Sequence, residues 1–320
     1  MWRTNNWRSA LAIILAYPQQ TQRLVDDLKI SSLTLQRWVR GEENPYREQV
    51  QELLHALPQH QSRLLPLLAE EFEGMTLHTR EIEDIPSIFY AQVLRGSTTI
   101  PITIRFWSLA SIVLQQVLTQ LDPYRTGLLL RVARFLPPGA DGKLHCLREA
   151  IIQGTAPWEE DTTQNAILLG AESLAGQALT EVHLIVINSC DDDCLLPTTL
   201  HKHEVSMLAF PIKRGNRVAG AFLVSSTQEG YFTPSRLSLI HRYTDLLTLT
   251  FESEDFYEPD MLDLAVMPGA AEQQRQLSTF RQRVAALLKQ AAREQQSLNT
   301  MQAEIQIWQQ FADEFRLQTS

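Results

Sequence analysis

The feature that most constrains this chain is a pair of apolar runs joined by a very short polar turn: Ser206 to Lys213, then Arg214-Gly215-Asn216, then Arg217 to Ser225. Runs connected this tightly pair as antiparallel neighbours. The segments around them alternate in period. Trp107 to Leu121 reads as an apolar helix ended by Asp122-Pro123. Gly127 to Leu136 and Leu144 to Gln153 read as two more strands around the turn 137–142, whose Pro, Gly and Asp content is a hairpin signal. A helix at 162–179, a strand from Val182 to Asn188 and a loop with an acidic tip follow. Thr233 and Pro234 open a last helix, the hydroxyl as cap and the proline at the first helical position.

The chain before this region has a helical period throughout. Segments 8–16, 20–29, 33–40, 46–57 and 60–72 repeat apolar residues at three and four, as in Leu11, Ile14 and Leu15 or Leu35, Trp38 and Val39. Pro18, Gly41, Pro45 and Pro58 punctuate them. The composition then loses its period, and 75–101 reads as a linker with one helix over 84–94. With 320 residues the chain has room for about two domains and extra helices. The division expected is 1–74 all-helical, 75–101 linker, 102–258 mixed and 259–320 helical, an α+β multidomain class.

After Gly269 the chain contains no Gly or Pro, and a heptad can be counted through it. Its a positions are Leu277, Val284, Ala291, Leu298, Ile305 and Ala312; its d positions are Phe280, Leu287, Glu294, Met301, Trp308 and Phe315. Only Glu294 interrupts the apolar series, so the pattern predicts a long helix that pairs with a second chain as a coiled coil. The alternative is a helix packed back on its own domain, which the large aromatic d residues favour.

Composition narrows the function. No apolar run reaches the roughly 18–20 residues of a membrane span, and the apolar stretch from Ala10 to Ala16 lacks the cleavage site of a signal peptide. Three cysteines, Cys146, Cys190 and Cys194, fit a reducing cytoplasm better than a disulfide scaffold. A net charge of −9 argues against non-specific coating of nucleic acid, while leaving room for a small DNA-reading module. There is no phosphate-binding glycine motif and no Ser-His-Asp order, so a non-enzyme is expected.

The segment TQRLVDDLKISSLTLQRWVRGEENP, from Thr21 to Pro45, holds two short helices about a turn filled by Ile30, with Ser31 or Ser32 capping the second. Its Ser-x-x-Thr-aliphatic-x-Arg-Trp-x-Arg-Gly spacing resembles the lambda-repressor-like, XRE-type helix-turn-helix family over about residues 8–70. Val25 stands where that family has Ala, and Lys29 where it has the turn Gly. The resemblance implies a recognition helix whose Ser32, Leu33, Thr34, Gln36 and Arg37 face base edges, with Arg40, Gln20 and Thr21 toward phosphates. A five-helix interaction domain that has kept the fold and lost DNA is the alternative.

Between Ile102 and Phe251, the stretches ESLAGQALTEVHLIVINS and SMLAFPIKRGNRVAGAFLVSSTQEGYFTPSRLSLIHRYTDLLTLTF make the chain resemble a GAF domain. That implies a central antiparallel sheet with flanking helices and a pocket for an unidentified small molecule. His145, Cys146 and Trp158 are the candidate ligand residues. Cys190, Cys194, His201 and His203 come near to zinc spacing without reaching it, so no metal is expected. The whole chain then reads as a cytoplasmic, ligand-responsive, DNA-binding homodimer. The competing reading is an adaptor that uses its GAF-like domain and tail only to dimerise.

Overall fold

The computed structural model describes residues 6–57, 60, 64, 67, 68, 71, 72, 84–123, 125–158, 166–189 and 203–319. It forms two compact units, 1–81 and 82–320. The first is built from helices α1 (Trp7–Leu15), α2 (Pro18–Leu28), α3 (Ser32–Arg40) and α4 (Arg47–Ala56). Asn6 caps α1 by accepting hydrogen bonds from the backbone N–H groups of Arg8 and Ser9. Trp7, Leu11, Leu24, Leu35, Trp38, Leu53 and Leu54 meet in one core, which Leu64 and Leu68 join. Each such side chain contributes about 1.5–3 kcal/mol by leaving water. Much of the helix expected at 60–72 lies outside the described residues.

Lys29, where a turn glycine was missing, takes a left-handed conformation (φ 52°) at the end of α2. The turn therefore keeps the backbone that glycine would adopt freely, at a steric cost to lysine. Ser31, one of the two candidates, caps α3 by accepting from the N–H of Thr34 at 3.1 Å.

The second unit begins earlier than expected. Helix α5 (Ser87–Thr99) falls in the expected linker, yet its Phe89 and Val93 are buried in the core of this unit. Helix α6 (Ile102–Leu121) follows. It is long and apolar enough by composition to cross a membrane, but Phe106, Leu109, Ala110, Val113, Leu114 and Val117 are buried within the domain, as in a core helix.

Six strands make one antiparallel sheet in the order β3-β2-β1-β6-β5-β4. They are β1 (Leu128–Phe135), β2 (Leu147–Gly154), β3 (Leu168–Leu169), β4 (Ile185–Ile187), β5 (Ser206–Arg214) and β6 (Arg217–Ser226). The hairpin read first in the sequence is β5–β6, with Arg214 paired to Arg217. One sheet face, carrying Leu128, Leu130, Val132, Phe222 and Val224, packs against α5, α6 and helix α8 (Pro234–Thr248). The other, carrying Ala133, Phe135, Ala221 and Leu223, packs under helix α7 (Leu174–Glu181).

The helix expected over 162–179 is corrected by this arrangement. Residues 162–165 lie outside the described set, and Leu168 and Leu169 are a strand paired with β2. A helix starts only at Leu174, where Ser173 accepts from the N–H of Gly176 at 3.0 Å. Gly170 lies so close to the Ala265 carbonyl that a Cβ there would collide with it.

The tail also departs from expectation. It is not one long helix but α9 (Ala270–Leu277), α10 (Phe280–Arg293) and α11 (Thr300–Thr319). The last two lie antiparallel. Arg283 donates to Glu314 at 2.6 Å, and the rings of Phe280 and Trp308 lie 4.9 Å apart. Val284, Ala303, Ile307, Trp308, Phe311 and Phe315 form a core with Leu136, Cys146, Leu168 and Met267. Apolar surface on the same chain is close at hand, so the helices fold back onto it.

The side chain of Gln273 fixes this return. Fully buried, it accepts from the N–H of Leu168 at 2.8 Å and donates to the carbonyls of Leu168 at 2.9 Å and Pro268 at 2.8 Å. The amide thus occupies the outer edge of β3 as a further strand would. Gln273→Leu leaves three buried backbone groups without these partners, and a loss of about 1–3 kcal/mol is expected in chemical denaturation. A loss below about 0.5 kcal/mol, the range of ordinary surface changes, would show that water replaces the amide at this edge.

Candidate functional site

A charged residue in the middle of an apolar strand needs partners, because burial penalises an isolated charge heavily. Arg131 is that residue, in the run Leu128-Leu-Leu-Arg-Val-Ala of β1. Strand alternation places it on the α7 side of the sheet, with Ala133 and Phe135. Its guanidinium donates to Glu149 on β2 at 3.2 Å, to Glu204 at 2.6 Å and to Ser225 on β6 at 2.9 Å. All four residues are buried. Glu149 also accepts from the N–H of Ile167 at 3.3 Å, beside β3. The Nε–H of Arg131 is buried without an acceptor.

This cluster joins β2, β1 and β6 to the segment that enters β5. A guanidinium fork holds two carboxylates and a hydroxyl in fixed directions, which an ammonium cannot do. By strand alternation the fork lies on the sheet face that packs under α7.

Of the residues singled out in the sequence, Trp158 lies on this same side. It is buried beyond β2, and its Cβ is 3.2 Å from where a Gly154 Cβ would stand, next to Leu129. His145 and Cys146 lie elsewhere, ahead of β2 rather than within it. Cys146 is buried with the tail helices, and burial pushes its thiol pKa up to about 12. The His145 ring meets Asp141 through Nε2 at 2.9 Å and the Asp263 carbonyl through Nδ1 at 2.9 Å. Asp141, His145 and Asp263 bring ligand atoms within 4.8 Å of one another, the spacing of a cation site, but both ring nitrogens are already engaged. Of the loop residues considered for zinc, Cys190, Cys194 and His201 lie outside the described residues. His203 stands in a left-handed turn (φ 79°).

In the first unit, α3 turns Leu35 and Trp38 into the core and leaves Ser32, Leu33, Gln36, Arg37 and Arg40 exposed. Leu33 is 53% exposed, as are several other large apolar side chains among the described residues. Thr34 is half-buried, its hydroxyl 2.9 Å from that of Ser31. Thr21 donates to the Leu15 carbonyl at 3.0 Å, and Gln20 is half-buried, so both belong more to the joint between helices than to a free face. Arg37 stands 3.8 Å from Glu43 and Arg40 3.8 Å from Glu42. Exposed pairs at this distance are weak and exchange readily for other partners.

Residues 108–252 match the GAF domain family, and a GAF domain occupies this part of the chain. Among solved structures, a type II free methionine-R-sulfoxide reductase from Thermoplasma acidophilum is 17% identical, covers 48% of this chain and 99% of its own, and has a TM-score of 0.35. The GAF-B domain of DevS from Mycobacterium smegmatis is 21% identical, covering 43% and 87% with a TM-score of 0.29. The GAF domain of an Acinetobacter phosphoenolpyruvate-protein phosphotransferase is 13% identical, covering 52% and 93% with a TM-score of 0.33. No curated protein matches the chain.

Removing Arg131 leaves two buried carboxylates without their cation. Arg131→Met is expected to cost about 3–5 kcal/mol, and Arg131→Lys to recover only part of it. Urea unfolding monitored by Trp fluorescence reads this. A lysine variant equal to wild type would show that the fork geometry is dispensable.

Proposed function

We propose that the chain is a ligand-responsive, DNA-binding transcriptional regulator that works as a homodimer and catalyses no reaction. The observation that supports this best is the face of α3. Its buried Leu35 and Trp38 present Ser32, Leu33, Gln36, Arg37 and Arg40 to solvent, and the same chain carries a GAF domain. Gln and Arg read base edges by paired hydrogen bonds, and a short helix with such residues near its start fits the major groove. In this reading a small molecule binds on the α7 side of the sheet, near Arg131 and Trp158. It acts by binding one of two states of the dimer more tightly than the other. Two copies of α3 then gain or lose the spacing of about one DNA turn.

A second reading, the assembly adaptor, draws on the acids beside the arginines. Glu42 and Glu43 place negative charge where phosphates would approach Arg40 and Arg37. In it, α3 with its exposed Leu33 meets a protein.

Selection of bound fragments from random DNA separates the two. The regulator returns an enriched sequence, and Arg37→Ala weakens that site by about 1–3 kcal/mol if Arg37 reads a guanine. Selection that enriches nothing, at low as well as moderate salt, would discard DNA binding and leave the adaptor. The ligand is sought by native mass spectrometry of freshly purified protein, with Arg131→Met and wild type side by side. A co-purifying mass held equally by both would place its site away from this cluster.

A further inference from the structure

The tail satisfies two patterns that compete. Along the sequence, the heptad runs without Gly or Pro through the connection 294–299, as a continuous helix would require. In the fold, the chain reverses there. The N–H of Gln296 closes back on the Ala291 carbonyl at 2.9 Å, and Gln295 takes a left-handed conformation (φ 56°). This is the helix-ending geometry in which glycine is the usual occupant, because any other residue is strained by its Cβ. Asn299 offsets part of that strain by capping α11, accepting from the N–H of Gln302 at 2.8 Å. The reversal also leaves some seam positions partly open to water, although Leu298 packs against the tail core. Met301 is 45% exposed, and Leu298 and Ile305 are only half-buried, whereas Val284, Trp308 and Phe315 are buried.

We propose that segment 294–299 is a hinge, and that the hairpin of α10 and α11 opens so that α11 exchanges with that of a second copy of this chain. In the exchanged dimer α10 and α11 become one helix. The α11 of each chain packs on the other as it now packs on its own, so the contacts of Trp308, Phe311 and Phe315 re-form between chains. The gains are release of the left-handed Gln295 and fuller burial of Met301 and Ile305 along the seam where the two long helices cross. The cost is the Asn299 cap. This deepens the homodimeric reading above and rests on it for the presence of a second copy.

The test uses the full chain with Arg283→Cys and Glu314→Cys, two partly exposed residues that meet across the hairpin. Chains of ordinary and 15N-labelled protein are unfolded together and refolded. Monomer and dimer are separated, treated with a short bismaleimide and mapped by mass spectrometry. Exchange predicts 283–314 cross-links within one isotope in the monomer and half of them mixed in the dimer. Gln295→Gly, in the otherwise unaltered chain, relieves the hairpin and weakens the continuous helix. It is expected to raise the dimer dissociation constant by at least roughly fivefold per chain. A dimer whose 283–314 links all stay within one isotope would overturn exchange while leaving the homodimer in place. A chain that stays monomeric at its highest soluble concentration would overturn both. A Gln295→Gly dimer as tight as wild type would overturn the hinge at 294–299.

Discussion

The second unit depends on a sheet that is buried on both faces. In β1, β5 and β6 nearly every residue away from the β5–β6 turn is inaccessible to water, whichever way its side chain points. Such strands cannot form an outer layer, so the rest of the unit is cover. Helices α5, α6 and α8 seal one side and α7 the other, with the tail helices closing the β3 end. Even α6, apolar enough to be mistaken for a membrane span, has this ordinary purpose. The requirement explains why the chain from Ile85 onward, short of the GAF match itself, already belongs to this core.

Within so apolar a setting the Arg131 cluster stands out. Buried ion pairs seldom improve stability over well-packed hydrophobic residues, since the cost of desolvation offsets much of the attraction. The cluster ties three strands and the start of β5 in a single register, and it sits on the α7 side together with Trp158. The same four side chains therefore link three strands of the sheet through one buried cation.

Each unit holds a left-handed residue other than glycine at the joint that gives it its shape. Lys29 turns α2 into α3, and Gln295 turns α10 back as α11. In the first unit the core closes around the joint: Leu24 and Leu28 before it, Leu35 and Trp38 after it, all buried. In the tail, residues 292–297 are all exposed, while Ala291 before them is buried and Leu298 after them packs against the tail core.

Much of this was legible in the sequence, and the losses share a cause. Period and punctuation alone identified helices α1 to α4, the β5–β6 hairpin, strands β1 and β2 and the cap of α8, because those depend on neighbours within a few residues. The sequence pattern also singled out the face of α3, since Leu35 and Trp38 mark its opposite side. What it left open was decided by contacts distant along the chain. Leu168 and Leu169 are a strand because they pair with β2, and Gln273, 105 residues from Leu168, bonds the free edge of Leu168. Cys146 is buried against the tail because the tail folds back to meet it. Arg131 was passed over in the sequence, and its partners Glu149 and Glu204 stand 18 and 73 residues further on. The heptad was real in period, yet a period says only which side of a helix is apolar. Which surface covers that side is settled by whatever apolar surface the fold brings within reach.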